Sequence, residues 1–248
     1  MDRKVLIIAT VAIAAILCAS VSVILQLSDP GDDDDDLTIK VTGIYKNGTY
    51  NNVTIAPSVG DGTVTLSGMT IKGNLYIKGG GSNSVILENS TVEGTTTINK
   101  TGGEPPRLVA DNSETGDVVL ESDAILESKN DLAYGTVSVF DSNLTVQGNE
   151  TVIENVQLEG EVGLDYNGGR IDSVTVGESV NVTTNTPDSV EALPFQTSDP
   201  EGPTEVNVND KPVGVVTVPS TPEPSPHTHL FTYELKSSAF VGMSIRIS

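Results

Sequence analysis

The segment VTLSGMTIKG, residues 64–73, can be laid over VILENSTVEG, residues 85–94, at an offset of 21 residues. Leu66 then matches Leu87, Thr70 matches Thr91, Ile71 matches Val92 and Gly73 matches Gly94, and further on Ile77 matches Ile98. Self-similarity at a period of this size constrains a fold more than composition does, because each unit must bury its apolar face against its neighbours. A second alignment sets IENVQLEGEVGL, residues 153–164, over LENSTVEGTTTI, residues 87–98. Its offset is about three times the first, which predicts three coils between the two stretches. DVVLESDAIL, residues 117–126, and TVSVFDSNLTVQG, residues 136–148, keep the same texture in between.

Within each unit the apolar residues stand two apart, as in Val64 and Leu66, Leu75 and Ile77, Val137 and Val139, and Val174 and Val176. That is the period of a strand. Gly, Asn, Asp and Ser interrupt the runs every few residues, as tight bends require. No stretch after residue 30 carries a helical stripe. The pattern predicts coils of about 21–22 residues, each with two or three short strands. With aromatics at 4% and no Trp, the core must be built from Val, Ile, Leu and Thr. One coil cannot bury these alone, but coils stacked about 4.8 Å apart bury them and pair the backbone above and below. A β-sandwich also alternates short strands, yet it needs no constant register between units. An asparagine at a bend, such as Asn89, is expected to join an amide ladder.

GGGSNSVILENSTVEGTTTI, residues 79–98, and its relatives along residues 38–185 resemble the right-handed parallel β-helix, the solenoid of the pectate-lyase-like superfold. The resemblance implies an all-β solenoid. It also implies kinship of texture with surface proteins of bacteria and archaea. Polysaccharide lyases on this fold carry a groove with calcium-binding acids and a basic residue that takes the proton. The fold alone dictates none of these activities.

The flanks divide the chain further. Residues 5–25 hold 21 uncharged residues, and as a helix they would cover roughly 30 Å, one hydrocarbon thickness. Arg3 and Lys4 precede them, and an acidic tract follows, which places the N-terminus inside and the remainder outside the cell. Residues 1–27 are therefore expected to be a transmembrane signal anchor. The rival is a cleaved signal with Ser20-Val21-Ser22 as its small-x-small site. Cys18 is the sole cysteine, so disulfides and thiolate metal sites are excluded beyond it. Leu17 before it departs from a lipobox, and Lys4 against Val5 departs from a pilin processing site. Residues 28–36, with the run Asp32 to Asp36, read as an acidic linker, since five consecutive acids lack the alternate spacing of a calcium loop. The β-helix is expected over 37–185. A Pro-rich irregular segment with a hairpin around Asn209 to Pro212 follows over 186–229. A last strand or hairpin over 230–248, with Val241, Met243, Ile245 and Ile247 alternating, is expected to cap the solenoid or to offer an edge to another subunit.

Function is less legible. The net charge of −21 disfavours nucleic acid and anionic lipid surfaces as partners. After residue 30 the arginines are Arg107, Arg170 and Arg246. Arg170 lies near Asp165 and Asp172 in sequence and is the best candidate for a lyase-like cluster, with a surface ion pair as the plainer reading. His227 and His229 have no evident third ligand, Gly79 to Gly81 lack the Lys-Ser/Thr of a phosphate loop, and no nucleophile elbow occurs. No catalytic residue, metal ligand or cofactor is assigned. The remaining motif is the Asn-x-Ser/Thr sequon at Asn47, Asn52, Asn89, Asn99, Asn143, Asn149 and Asn181, seven of 17 asparagines and a modest excess for this Ser and Thr content. Asn89 poses a conflict, since an amide committed to a ladder is not free to carry a glycan. The expectation is a non-catalytic, membrane-anchored extracellular protein with a structural or adhesive role. Its expected partners are the membrane, cell-surface proteins or polysaccharide, and further copies of itself. Alternatives are a polysaccharide-binding or polysaccharide-cleaving enzyme on the same fold, and a filament subunit with the apolar helix as polymer core.

Overall fold

A computed structural model describes residues 24–26 by their backbone, and residues 36–129, 133–197 and 205–217. The chain winds into an all-β parallel solenoid of the right-handed type, with about eight turns. Two long sheets of twelve and eleven strands run along it. Most coils contribute one strand to each sheet, and two add a second short strand, Thr91–Val92 to the first sheet and Arg170–Ile171 to the second. The first sheet begins Ile24–Gln26, Gly43–Tyr50, Val64–Ile71, Ile86–Glu88 and Arg107–Asp111; the second begins Leu37–Ile39, Val53–Ile55, Leu75–Ile77, Thr96–Ile98 and Val118–Leu120.

Three-residue strands of the second sheet point their outer two side chains inward and the middle one outward, so the period-two pattern becomes two interior columns. One column is Ile39, Ile55, Ile77, Ile98, Leu120, Val139, Leu158 and Val176. The other runs Val53, Leu75, Thr96, Val118, Val137, Val156, Val174 and Phe195. All of these side chains are buried. The lone polar member, Thr96, donates its hydroxyl to the Thr115 carbonyl at 2.7 Å, which removes the cost of burying it. Among the described residues, no buried side-chain nitrogen or oxygen lacks a partner.

The register confirms the first alignment and corrects the second. Leu66 pairs with Leu87, Thr70 with Thr91, Ile71 with Val92 and Ile77 with Ile98. Leu164, set over Ile98 by the second alignment, lies in the first sheet beside Leu144, whereas Leu158 occupies the Ile98 column. The coil length also departs from the constant value expected. Neighbours on adjacent coils are separated in sequence by 16 for Asp36 and Asn52, by 19 for Glu154 and Ser173, and by 26 for Asn181 and Asn207. Bends absorb these differences while the stacked strands keep phase.

At the start, Ile24–Gln26 pairs in parallel with Ile44 to Lys46. The last residues of the apolar run are thus a strand and not the end of a helix. The remainder of the expected anchor, residues 1–23 and 27, lies outside the described residues. Among the described residues no helix is long and apolar enough to cross a membrane. Residues 27–35, with all of the expected acidic linker but Asp36, lie outside the described residues.

At the other end the parallel stacking continues past residue 185. Phe195–Thr197 adds to the second sheet and Val206–Val208 to the first. Pro187, suited to a first helical turn, opens the short helix Pro187–Glu191, whose Val190 is buried in the core together with Phe195. Val206–Val208 then turns through Asn209 and Asp210, both at positive φ, into the antiparallel strand Lys211–Val213. His227, His229 and the expected terminal strand over 230–248 lie outside the described residues.

Candidate functional site

A sharp corner of each coil, within the long strands Gly43–Tyr50 and Val64–Ile71 of the first sheet, is built from left-handed residues. Register places Asn47, Gly68, Asn89 and Asn112 on successive coils there, with φ of 55°, 65°, 48° and 49°. Only Gly and, at modest cost, Asn adopt this conformation readily, which explains the composition of the bends. Asn112 Nδ2 donates to Asn89 Oδ1 at 2.6 Å, so the expected amide ladder exists as a pair. Gly68 holds the corresponding position of the preceding coil, and it offers no side-chain acceptor to Asn89 Nδ2.

The other corners use carboxylates. Asp36 Oδ1 accepts from Asn52 Nδ2 and from the Asn52 backbone, each at 3.0 Å, and Asn52 Oδ1 accepts from the Asn74 backbone at 2.9 Å. Asn74 Oδ1 continues the series by accepting from the Thr95 backbone. Asp123 Oδ1 accepts from Asn143 Nδ2 at 2.8 Å, and Glu121 Oε2 from Asn99 Nδ2 at 2.5 Å. Of the seven sequon asparagines, Asn52 is half-buried and the other six are exposed. Asn149 sits in the turn after strand Asn143–Val146, on the edge that also carries Asn47 and Asn89. Asn181 lies on the open face of the first sheet, between Glu161 and Asn207.

Arg170 pairs with Asp172 at 3.2 Å in an exposed position. Asp165 is engaged elsewhere, accepting from the Asn185 backbone at 2.7 Å and from Asn185 Nδ2 at 3.0 Å. The three residues form no single cluster. Gly79 to Gly81 are buried, and a Cβ on Gly79 would overlap the Ala56 carbonyl oxygen, so they form a tight bend between coils. Among the described residues no group of three His, Cys, Asp or Glu is placed to hold a metal ion.

Three features lie beyond sequence reasoning because their members are one or more coils apart. A groove of about 590 Å³ follows one corner, walled by Glu93, Glu114, Asp117 and Glu154 and floored by Gly94, Gly116 and Gly135. A Cβ on Gly116 would collide with the Gly94 carbonyl oxygen, so bare backbone is what opens this floor. Lys100 is nearly buried and binds Asp61 and the Glu104 carbonyl, the latter at 2.6 Å, fastening the 100–104 bend across two coils. Its hydrogen bond holds the Asp61 carboxyl below the usual carboxylate range. Arg107 and Gln147, on flanking coils, both donate to Glu127 Oε2.

No protein-family model, no curated protein and no solved structure matches this chain.

Proposed function

We propose that this chain is a non-catalytic extracellular surface protein, held to the membrane by its N-terminal apolar segment and acting as a structural or adhesive rod. The observation that carries the reading is continuity. One aliphatic column runs unbroken from Ile39 to Val176, the apolar run ends in a strand of the first coil, and about eight coils at 4.8 Å make a shaft of roughly 40 Å. Such a shaft transmits position and presents a surface along its length. The acidic exterior, with −21 overall, keeps it solvated and apart from anionic lipid.

Fractionation of cells that express the chain tests the proposal. The protein is expected in the membrane fraction, released by detergent and not by high salt, with its solenoid cut by protease added to intact cells. A soluble protein shielded from that protease would overturn it.

The acidic groove favours a second reading, in which the rod binds or cleaves polysaccharide. Polyuronate turnover with or without calcium, abolished by Glu114→Gln in the groove, would replace the non-catalytic proposal.

A further inference from the structure

The seven sequons are alike in sequence and unlike in geometry. At Asn52, Asn99 and Asn143 the side-chain amide nitrogen is spent on a carboxylate of a neighbouring coil, Asp36, Glu121 and Asp123 respectively. At Asn47, Asn89 and Asn149 the carbonyl end of the side chain faces the next coil instead. Asn89 Oδ1 accepts from Asn112 Nδ2. Asn47 Oδ1 lies 2.9 Å from where a Cβ of Gly68 would stand, and Asn149 Oδ1 lies 3.3 Å from the same point on Gly168. Asn181 likewise uses its Oδ1, accepting from Asn207 Nδ2 at 3.3 Å. In these four residues Nδ2 has no partner among the described residues, and all four are exposed.

We propose that Asn47, Asn89, Asn149 and Asn181 carry N-linked sugar in the folded protein, and that Asn52, Asn99 and Asn143 stay bare. The proposal rests on the extracellular reading above and deepens it. The chemistry is transfer from a lipid-phosphate-linked oligosaccharide by an oligosaccharyltransferase. A bond forms between asparagine Nδ2 and the anomeric carbon, the bond from that carbon to the phosphate oxygen breaks, Nδ2 gives up one proton, and the lipid phosphate leaves. Thr151, the hydroxyl of the Asn149 sequon, is buried in the finished fold, so transfer acts on the chain before its coils close, and closure then retains only those chains whose sugars project into solvent.

A sugar on Asn52, Asn99 or Asn143 would stand between the amide and its carboxylate and hold adjacent coils apart. The fold selects against it. A sugar on the other four projects into solvent. Asn47, Asn89 and Asn149 share one edge of the rod, and Gly68 on the coil between Asn47 and Asn89 leaves that coil's corner free for their sugars. The Asn89 conflict also resolves, since the ladder takes its oxygen and the sugar takes its nitrogen.

The test is site-resolved mass spectrometry of the full chain purified from its native membranes. Sugar is expected on the four and absent from the three. Thr49→Ala and Thr91→Ala remove two sequons without disturbing a left-handed asparagine, and Asn149→Gln removes a third at an exposed turn. Each should lower the intact mass by one sugar chain, whereas Thr54→Ala, Thr101→Ala and Thr145→Ala should change it by the substitution alone. Comparable occupancy at Asn52, Asn99 or Asn143 overturns the proposal. A sugar-free chain that external protease still reaches on intact cells overturns it while sparing the surface reading, and a sugar-free chain shielded from protease overturns both.

Discussion

Arg107 and Glu127 face each other across adjacent coils, with Nε at 3.0 Å and Nη2 at 2.5 Å from the same Glu127 oxygen. Burial alone would raise the Glu127 carboxyl, but the bonds from Arg107 and Gln147 outweigh it and hold the group below its ordinary value. A carboxyl depressed in the folded state adds stability above its unfolded value, about 4.3, and that stability is lost as the pH falls through the folded value. Glu127→Gln should therefore be less stable than the parent at pH 7, by about 1 kcal/mol. The two melting curves should draw together as the pH falls below the unfolded value. A gap that stays constant as the pH falls would show that packing, not the ion pair, carries the difference.

Two glycines at positive φ separate backbone strain from backbone crowding. Gly102 has φ of 71° and nothing within 4 Å of a Cβ, so Gly102→Ala should cost only the left-handed penalty of about 1 kcal/mol. Gly116 has φ of 61°, and its Cβ would run into the Gly94 carbonyl oxygen, which belongs to a stacked backbone that cannot yield. Gly116→Ala should cost roughly 3 kcal/mol or prevent folding. Denaturant midpoints of the two variants check the ranking, and equal losses would contradict the close stacking of these coils.

The interior columns make a third comparison. Leu120→Ala removes a side chain held between Ile98 and Val139, whose rungs are fixed by hydrogen bonds and cannot collapse into the gap. A loss of about 2–5 kcal/mol is expected. Thr96→Val keeps the volume but leaves the buried Thr115 carbonyl without its donor, so a loss of about 1–3 kcal/mol is expected. Equilibrium unfolding of both reads the outcome, and a larger effect of Thr96→Val would mean that its hydroxyl organises the Thr115 bend.

Charge supplies a fourth. A chain at −21 repels itself when compact, and salt screens that repulsion over about 10 Å at 0.1 M and about 3 Å at 1 M. The Tm should rise across this range. A falling Tm would place the net weight on ion pairs such as Lys100 with Asp61.

The strands and part of the register were legible because period-two patterning and the first repeat offset are local. Leu66 over Leu87 and Ile77 over Ile98 follow from that pattern directly. Leu158 in the Ile98 column did not, because the coils between them differ in length only through their bends, and bend length leaves no trace in strand periodicity. The sequons were visible as motifs, but the property that divides them was not. Nothing next to Asn143 in sequence distinguishes it from Asn149. What distinguishes it is Asp123, one coil away. The Lys100 clamp and the Glu93 groove were hidden for the same reason.

Spin-label distances along the outward residues of the second sheet test the central claim most directly. Thr54, Thr97, Ser138 and Thr175 stand on alternate rungs of that sheet. Measured from Thr54, the other three should lie about 10, 19 and 29 Å away, in equal steps of two rungs. Distances that converge, or that change order along the chain, would contradict a stack of parallel coils.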